Sequence, residues 1–281
     1  MTNKKLKIIH SLIFLIVLSF TAQTFGQQST PVISTEEEIA ESVKLVPCKK
    51  EERFDAVKKL FSQMGVKNED ITIEKYNKDK VSNVVVRKKG KSGETIVVGA
   101  HFDKVDDGCG VVDNWTGIVI TAHLLKTFIQ MDTEKSYIFV AFDQEEKGLQ
   151  GSDAMAKAIP KENRQQYCSM VNFDSFGTGI PMALGNASSS KMLTLAKKIA
   201  DESKFKFIDI TVEGANADSS SFKSRDIPAI TMSGLDNNWM TYMHSKNDQL
   251  AKINMKSVYL NYRFGLMYLA KLDSSGCQEY K

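Results

Sequence analysis

The stretch Thr95–Asp103, TIVVGAHFD, decides the fold. Its first six residues are a continuous apolar, largely β-branched run, the pattern of a strand buried on both faces of a parallel sheet. The run ends without a turn signal, directly on His101 and Asp103. Two later runs end the same way. Residues 137–142 (YIFVAF) lead into Asp143, Gln144, Glu145 and Glu146, and residues 170–173 (MVNF) lead into Asp174. In an open α/β sheet, ligands bind beyond the carboxyl ends of the strands. Three strands that deliver acids or histidine at one edge therefore point to a site at that edge.

The rest of the chain supports a strand–loop–helix rhythm. Helical spacing of apolar residues predicts helices over 36–44 and 50–64, the second stopped by Gly65. Strands are expected at 71–76 and 83–87, then at 95–100, 137–142, 170–173, 205–211 and 229–232. Helices are expected at 115–129, which is apolar nearly all round, and at 151–158, 190–203 and 254–272. Short apolar strands alternating with helices predict an α/β fold, a mainly parallel sheet with helices on both faces. No internal repeat is visible, and residues 27–281 read as one domain.

The first 26 residues read as a signal peptide. Lys4, Lys5 and Lys7 precede an apolar core, LIFLIVLSF at 12–20, and mostly small or polar residues follow. That core is far shorter than the roughly 20 residues that span a bilayer, so no stable membrane anchor is expected. Export, to a periplasmic or secreted location, is the expectation. Removing three lysines from a net charge of +3 leaves the mature chain near neutral. Without a basic stripe, a nucleic-acid partner is excluded. Four cysteines, Cys48, Cys109, Cys168 and Cys277, allow two disulfides in any of three pairings. No CxxC pair exists, which argues against a structural zinc ribbon.

The segment Ala100–Gly117, AHFDKVDDGCGVVDNWTG, crowds one histidine with four aspartates. It fails as an EF-hand loop, because counting from Asp103 the third position is Val105 and the twelfth is Asn114. An imidazole beside carboxylates suits a borderline-soft metal better. Of three histidines in the mature chain, His101 sits at a strand end, His123 lies inside an apolar helix as an ordinary hydrogen-bonded residue, and His244 precedes Asp248, itself a helix N-cap candidate. Glu145 and Glu146 are adjacent and point different ways, so one can ligate a metal while the other faces a reacting water. A serine hydrolase is disfavoured because GxSxG is absent, and Cys109 lacks the pattern of a cysteine protease.

The stretches GAHFDKV, VVDNWTG, FDQEEKGLQGS, NFDSFG and MHSKND, in this order, resemble the co-catalytic di-zinc aminopeptidases, metallopeptidase family twenty-eight. ADSSSFKSRDIPAI adds to the likeness, which runs from about residue 95 to 248. The resemblance implies a zinc-exopeptidase fold with a mixed central sheet and two zinc ions per chain. His101 and Asp174 would hold one ion, Glu146 and His244 the other, and Asp113 would bridge them. Glu145 would be the general base, and Asp103 would orient His101. Peptides with a free N-terminus would be the substrates. Two features depart from the pattern: Trp115 replaces a small residue, and Met243 occupies the place of an oxyanion-assisting tyrosine, with Tyr242 one residue before it. A glutaminyl cyclase-like acyltransferase is the enzymatic alternative, working with one zinc. A binding module that has lost catalysis is a further class, but every expected position here is filled.

Overall fold

The computed structural model describes residues 31–281; the proposed signal peptide lies outside them. In chain order the elements are α1 (Glu36–Lys44), α2 (Lys50–Gln63), β1 (Ile71–Tyr76), β2 (Val81–Lys88), β3 (Thr95–His101), α3 (Thr116–Phe128), β4 (Ser136–Phe142), α4 (Gln150–Ala158), β5 (Tyr167–Phe173), β6 (Met182–Leu184), α5 (Ser190–Ser203), β7 (Ile208–Ile210), α6 (Asp218–Lys223), β8 (Ala229–Ser233) and α7 (Met255–Ser274). The strands form one eight-stranded sheet in the order β1-β2-β4-β3-β5-β8-β6-β7. The central strands β4, β3, β5 and β8 are parallel neighbours, whereas β1 and β2 on one flank and β6 against β8 on the other run antiparallel. The sheet is thus mixed around a parallel centre.

Strand alternation builds two cores. Val84, Val86, Ile96, Val98, Phe139, Ala141 and Phe173 face the larger one, under α1, α2, α3, α5 and α7. Val85, Val97, Ile138, Val140, Phe142 and Met170 face the other, under α4 and α6. Helix α3 is apolar all round because it lies between the sheet and the outer helices α1, α2 and α7. Gly117 lets it approach β5: a Cβ there would lie 2.2 Å from Asn114 Oδ1 and 2.3 Å from the Phe173 carbonyl oxygen.

The sequence-derived boundaries mostly stand within a few residues, with three corrections. The strand expected at 205–211 shrinks to Ile208–Ile210, because Phe205 and Phe207 leave the ladder to pack on Phe264. Helix α6 and strand β6 have apolar runs too short to carry a period. Asp248 caps no helix of its own segment; its carboxylate reaches across the fold to accept from the N–H groups of Val111, Val112 and Asp113. The disulfides are Cys48–Cys109 and Cys168–Cys277. Trp115 packs in the core, donating from Nε1 to the Ser42 carbonyl at 3.1 Å.

His123 is buried in α3, with Nδ1 2.7 Å from Ser34 Oγ and Nε2 2.9 Å from Ser42 Oγ. Burial, reinforced by the Lys126 charge, lowers its pKa to about 4. The folded state therefore resists protonation while the unfolded chain takes a proton near pH 6.5. Stability from this site is complete above that value and is lost as pH falls toward 4. Urea titrations at pH 7 and 4.5 should show the native protein losing roughly 2–3 kcal/mol more than His123→Gln over that interval.

Candidate metal centre and active site

The carboxyl ends of β3, β4 and β5 lie side by side, with His101 in register with Phe142. His101 ends β3, Asp174 follows β5, and Glu145 and Glu146 follow β4 by way of Gln144, whose φ is +56°. Ser175, with φ +64°, and His244, with φ +53°, turn the chain in the same left-handed way at the other contributing loops. Such conformations in non-glycine residues persist only where the surroundings fix them.

Asp113 is at the centre. Its Oδ1 lies 3.1 Å from His101 Nε2, and its Oδ2 lies 3.0 Å from His244 Nε2. One carboxylate thus turns one oxygen toward each histidine. Asp174 Oδ1 is 3.7 Å from His101 Nε2, and Glu146 Oε2 is 3.3 Å from His244 Nε2. Ligand atoms of His101, Asp113 and Glu146 all fall within 4.8 Å of one another. All seven residues singled out in the sequence meet at this edge.

A second layer fixes these groups. His101 Nδ1 stands 3.4 Å from Asp103 Oδ1, within ion-pair reach but without a hydrogen bond. The Asp103 carboxylate also accepts the backbone N–H groups of Glu145 and Glu146, at 3.0 and 3.2 Å, so it positions the glutamate pair as well as the imidazole. Asp248 accepts from the N–H groups of Val111, Val112 and Asp113 at 2.8, 2.8 and 3.0 Å. It thereby acts as the cap of the turn that presents Asp113. Asn114 ties the loops together: its amide nitrogen donates to the Phe173 carbonyl, and its oxygen accepts from the N–H groups of Gly117 and Ser175. Its amide serves both the Asp113 turn and the Asp174 loop, a role that VVDNWTG alone did not disclose. Asp218 is fully buried, and among the described residues neither of its oxygens has a hydrogen-bond partner; it acts electrostatically on Glu145.

The electrostatics suit cations. Burial, together with Asp218, Asp174 and Asp113, pushes Glu145 up to about 10 against the pull of His101. Burial and the neighbouring Asp113 raise Glu146 to about 7, and its buried Oε1 has no hydrogen-bond partner. Burial disfavours the charged His101, yet Asp103, Asp113 and Asp174 outweigh it and raise its pKa well above the usual value. Hydrogen bonding to Asp113 raises His244 to about 9. Acids packed this closely retain protons unless cations share the space, and imidazole with carboxylate is a donor set for zinc. The residues present fit a metal centre.

The site opens on a cavity of about 360 Å³. His101, Asp113, Glu145, Glu146, Asp174 and His244 form one wall; Met182, Leu184, Ile210, Val212, Leu235 and Met243 lie among the other lining residues, with Trp239 and the polar Asn216, Thr231 and Ser233. Among the described residues no lysine or arginine lines it. Tyr242 is buried beside it, with its hydroxyl 2.7 Å from Thr178 Oγ1 and 3.0 Å from Asp236 Oδ1. It is not among the residues that line the cavity; Met243 is.

Known proteins resemble this chain in both sequence and fold. A vacuolar membrane protease of Kluyveromyces lactis is 28% identical over 153 residues, covering 54% of this chain and 16% of its own. Leucine aminopeptidase 2 of Trichophyton rubrum is 26% identical over 215 residues, covering 64% of this chain and 42% of its own. The chain therefore spans less than half the length of these curated relatives. Among solved structures, a glutaminyl cyclase from an Acidobacteriales bacterium has a TM-score of 0.75 at 16% identity, covering 91% of this chain and 100% of that one. A zinc aminopeptidase from Bacillus subtilis has a TM-score of 0.62 at 18% identity, covering 71% and 54%. At these identities the two structures establish the fold. Residues 83–267, more than half of the chain and all of the site, match peptidase family M28, and the chain belongs to that family.

Proposed function

We propose that the chain is an exported zinc-dependent aminopeptidase that removes N-terminal residues from peptides. The observation that carries this reading is the Asp113 carboxylate, with one oxygen toward His101 and the other toward His244. Two zinc ions would be held by His101 with Asp174 and by Glu146 with His244, with Asp113 shared. When bound, a zinc pair polarises the scissile carbonyl and acidifies an attacking water. Glu145, beside the pair and outside its ligand set, accepts the proton of that water and returns it to the leaving amine. Asp103 holds the imidazole of His101 and the Glu145–Glu146 backbone in place. A free α-ammonium of the substrate finds carboxylates to receive it, while among the described residues no lysine or arginine lines the cavity to bind a substrate C-terminus. That asymmetry favours aminopeptidase over carboxypeptidase action.

The apolar cavity wall favours a large apolar N-terminal side chain. Export accords with the two disulfides, which persist in oxidising compartments. Among the described residues no helix is long and apolar enough to cross a membrane.

A glutaminyl cyclase-like reaction is the second reading, since a glutaminyl cyclase shares the fold over its whole length, as a leucine aminopeptidase precursor does over 99% of its own. It would use the Asp113, Glu146 and His244 cluster with one zinc; the substrate's α-amine would attack its own γ-carboxamide carbon, and ammonia would leave in place of any attack by water.

Purified mature protein should hydrolyse leucyl- and phenylalanyl-p-nitroanilide at least tenfold faster than the aspartyl and lysyl substrates. Activity should vanish with chelator and return with zinc. Metal-replete protein that cyclises glutaminyl peptides but hydrolyses none of these substrates would establish the second reading instead. Glu145→Gln should keep its zinc content by elemental analysis while kcat falls by 10²–10⁴-fold, the size of a general-base contribution; unchanged kcat would remove Glu145 from that role.

A further inference from the structure

Helix α2 lies before the segment that matches the family, yet two of its charged side chains reach the loop that precedes Asp113: the exposed Lys50, paired with Asp106, and the buried Arg53. Arg53 is fully buried. Its Nη2 donates to the Gly110 carbonyl at 2.8 Å, three residues before Asp113, and its guanidinium lies 5.8 Å from the centre of the Trp115 ring. Nε and Nη1 have no hydrogen-bond partner, and among the described residues no carboxylate lies within ion-pair distance of it. The carboxylates of Asp103, Asp113, Asp248 and Glu146 act on it through space.

The contact is built from both sides. Gly110 has φ +61°, and a Cβ there would lie 2.6 Å from Arg53 Nη1 and 2.9 Å from the Asp113 carbonyl oxygen. Only glycine allows the guanidinium to approach so closely. Five residues before Arg53, Cys48 is bonded to Cys109, the neighbour of Gly110. Cys109 also donates its N–H to the Asp248 carbonyl at 2.8 Å, beside the carboxylate that caps the Asp113 turn. A buried guanidinium with unused donors is costly for stability alone, and its hydrogen bond to Gly110, three residues before Asp113, indicates what it serves.

We propose that Arg53 is a positioning residue for the metal centre, holding the loop that presents Asp113 together with the Cys48–Cys109 bridge. This rests on the zinc reading of the site. With both attachments in place, Asp113 is held between His101 and His244 before any ion arrives. Without either attachment the loop samples other positions, and bound zinc escapes faster.

The test follows zinc release from the zinc-loaded full mature chain into a chromophoric chelator, with folding checked by circular dichroism. Arg53→Met should release zinc at least tenfold faster than the native protein. Arg53→Lys, which retains the charge and a donor, should recover part of the difference. Folded Arg53→Met with native release kinetics would overturn the proposal. If Arg53→Met does not fold, Arg53→Lys decides: release faster than native supports the proposal and native release overturns it. Native protein that takes up no zinc at all would overturn the metal reading itself, and with it this proposal.

Discussion

The structure depends on a single carboxylate held between two imidazoles. Asp113 can face His101 and His244 at once only because its own backbone is fixed by Asp248, whose carboxylate takes three consecutive N–H groups of the turn before it. Those donors would otherwise be buried without acceptors, at a cost of about 1–3 kcal/mol each. Asp248 lies four residues beyond His244, so one loop supplies both the imidazole that faces Asp113 Oδ2 and the cap that places that carboxylate. Displacing that loop would therefore disturb both halves of the centre.

The sheet supplies the remaining precision. Three adjacent parallel strands end side by side, and His101 at the end of β3, Glu145 and Glu146 after β4, and Asp174 after β5 line one cavity. Asp103 then links the β3 end to the β4 end through the Glu145 and Glu146 amides, and Asn114 links the metal loop to the β5 end through the Phe173 carbonyl and the Ser175 amide. These ties are polar, buried or half-buried, and cross between loops. They keep acids close that would repel one another in water.

Much of this was legible in the sequence, for identifiable reasons. TIVVGA, YIFVAF and MVNF are apolar on both faces, so their parallel burial follows from composition, and the polar residue after each marks the sheet edge. Site residues at strand ends, such as His101, Glu145, Glu146 and Asp174, were visible by position. Groups that act across long sequence separations were not. Arg53 sits in an ordinary amphipathic helix, and only the folded chain shows it against Gly110. Asp248 looked like a local cap, because its true partners lie 135 or more residues away. The cysteine pairing was equally closed to sequence, since any of three pairings satisfies the count. Helix α6, which carries the buried Asp218, is too short for a hydrophobic period, and only its family-like ADSSSF motif hinted at a role.

Anomalous scattering at the zinc absorption edge, from crystals of the zinc-loaded chain, tests the bridging role of Asp113 most directly. Two peaks about 3.5–4 Å apart, one on each side of the Asp113 carboxylate, are expected. A single peak among Asp113, Glu146 and His244, with His101 and Asp174 unligated, would contradict it.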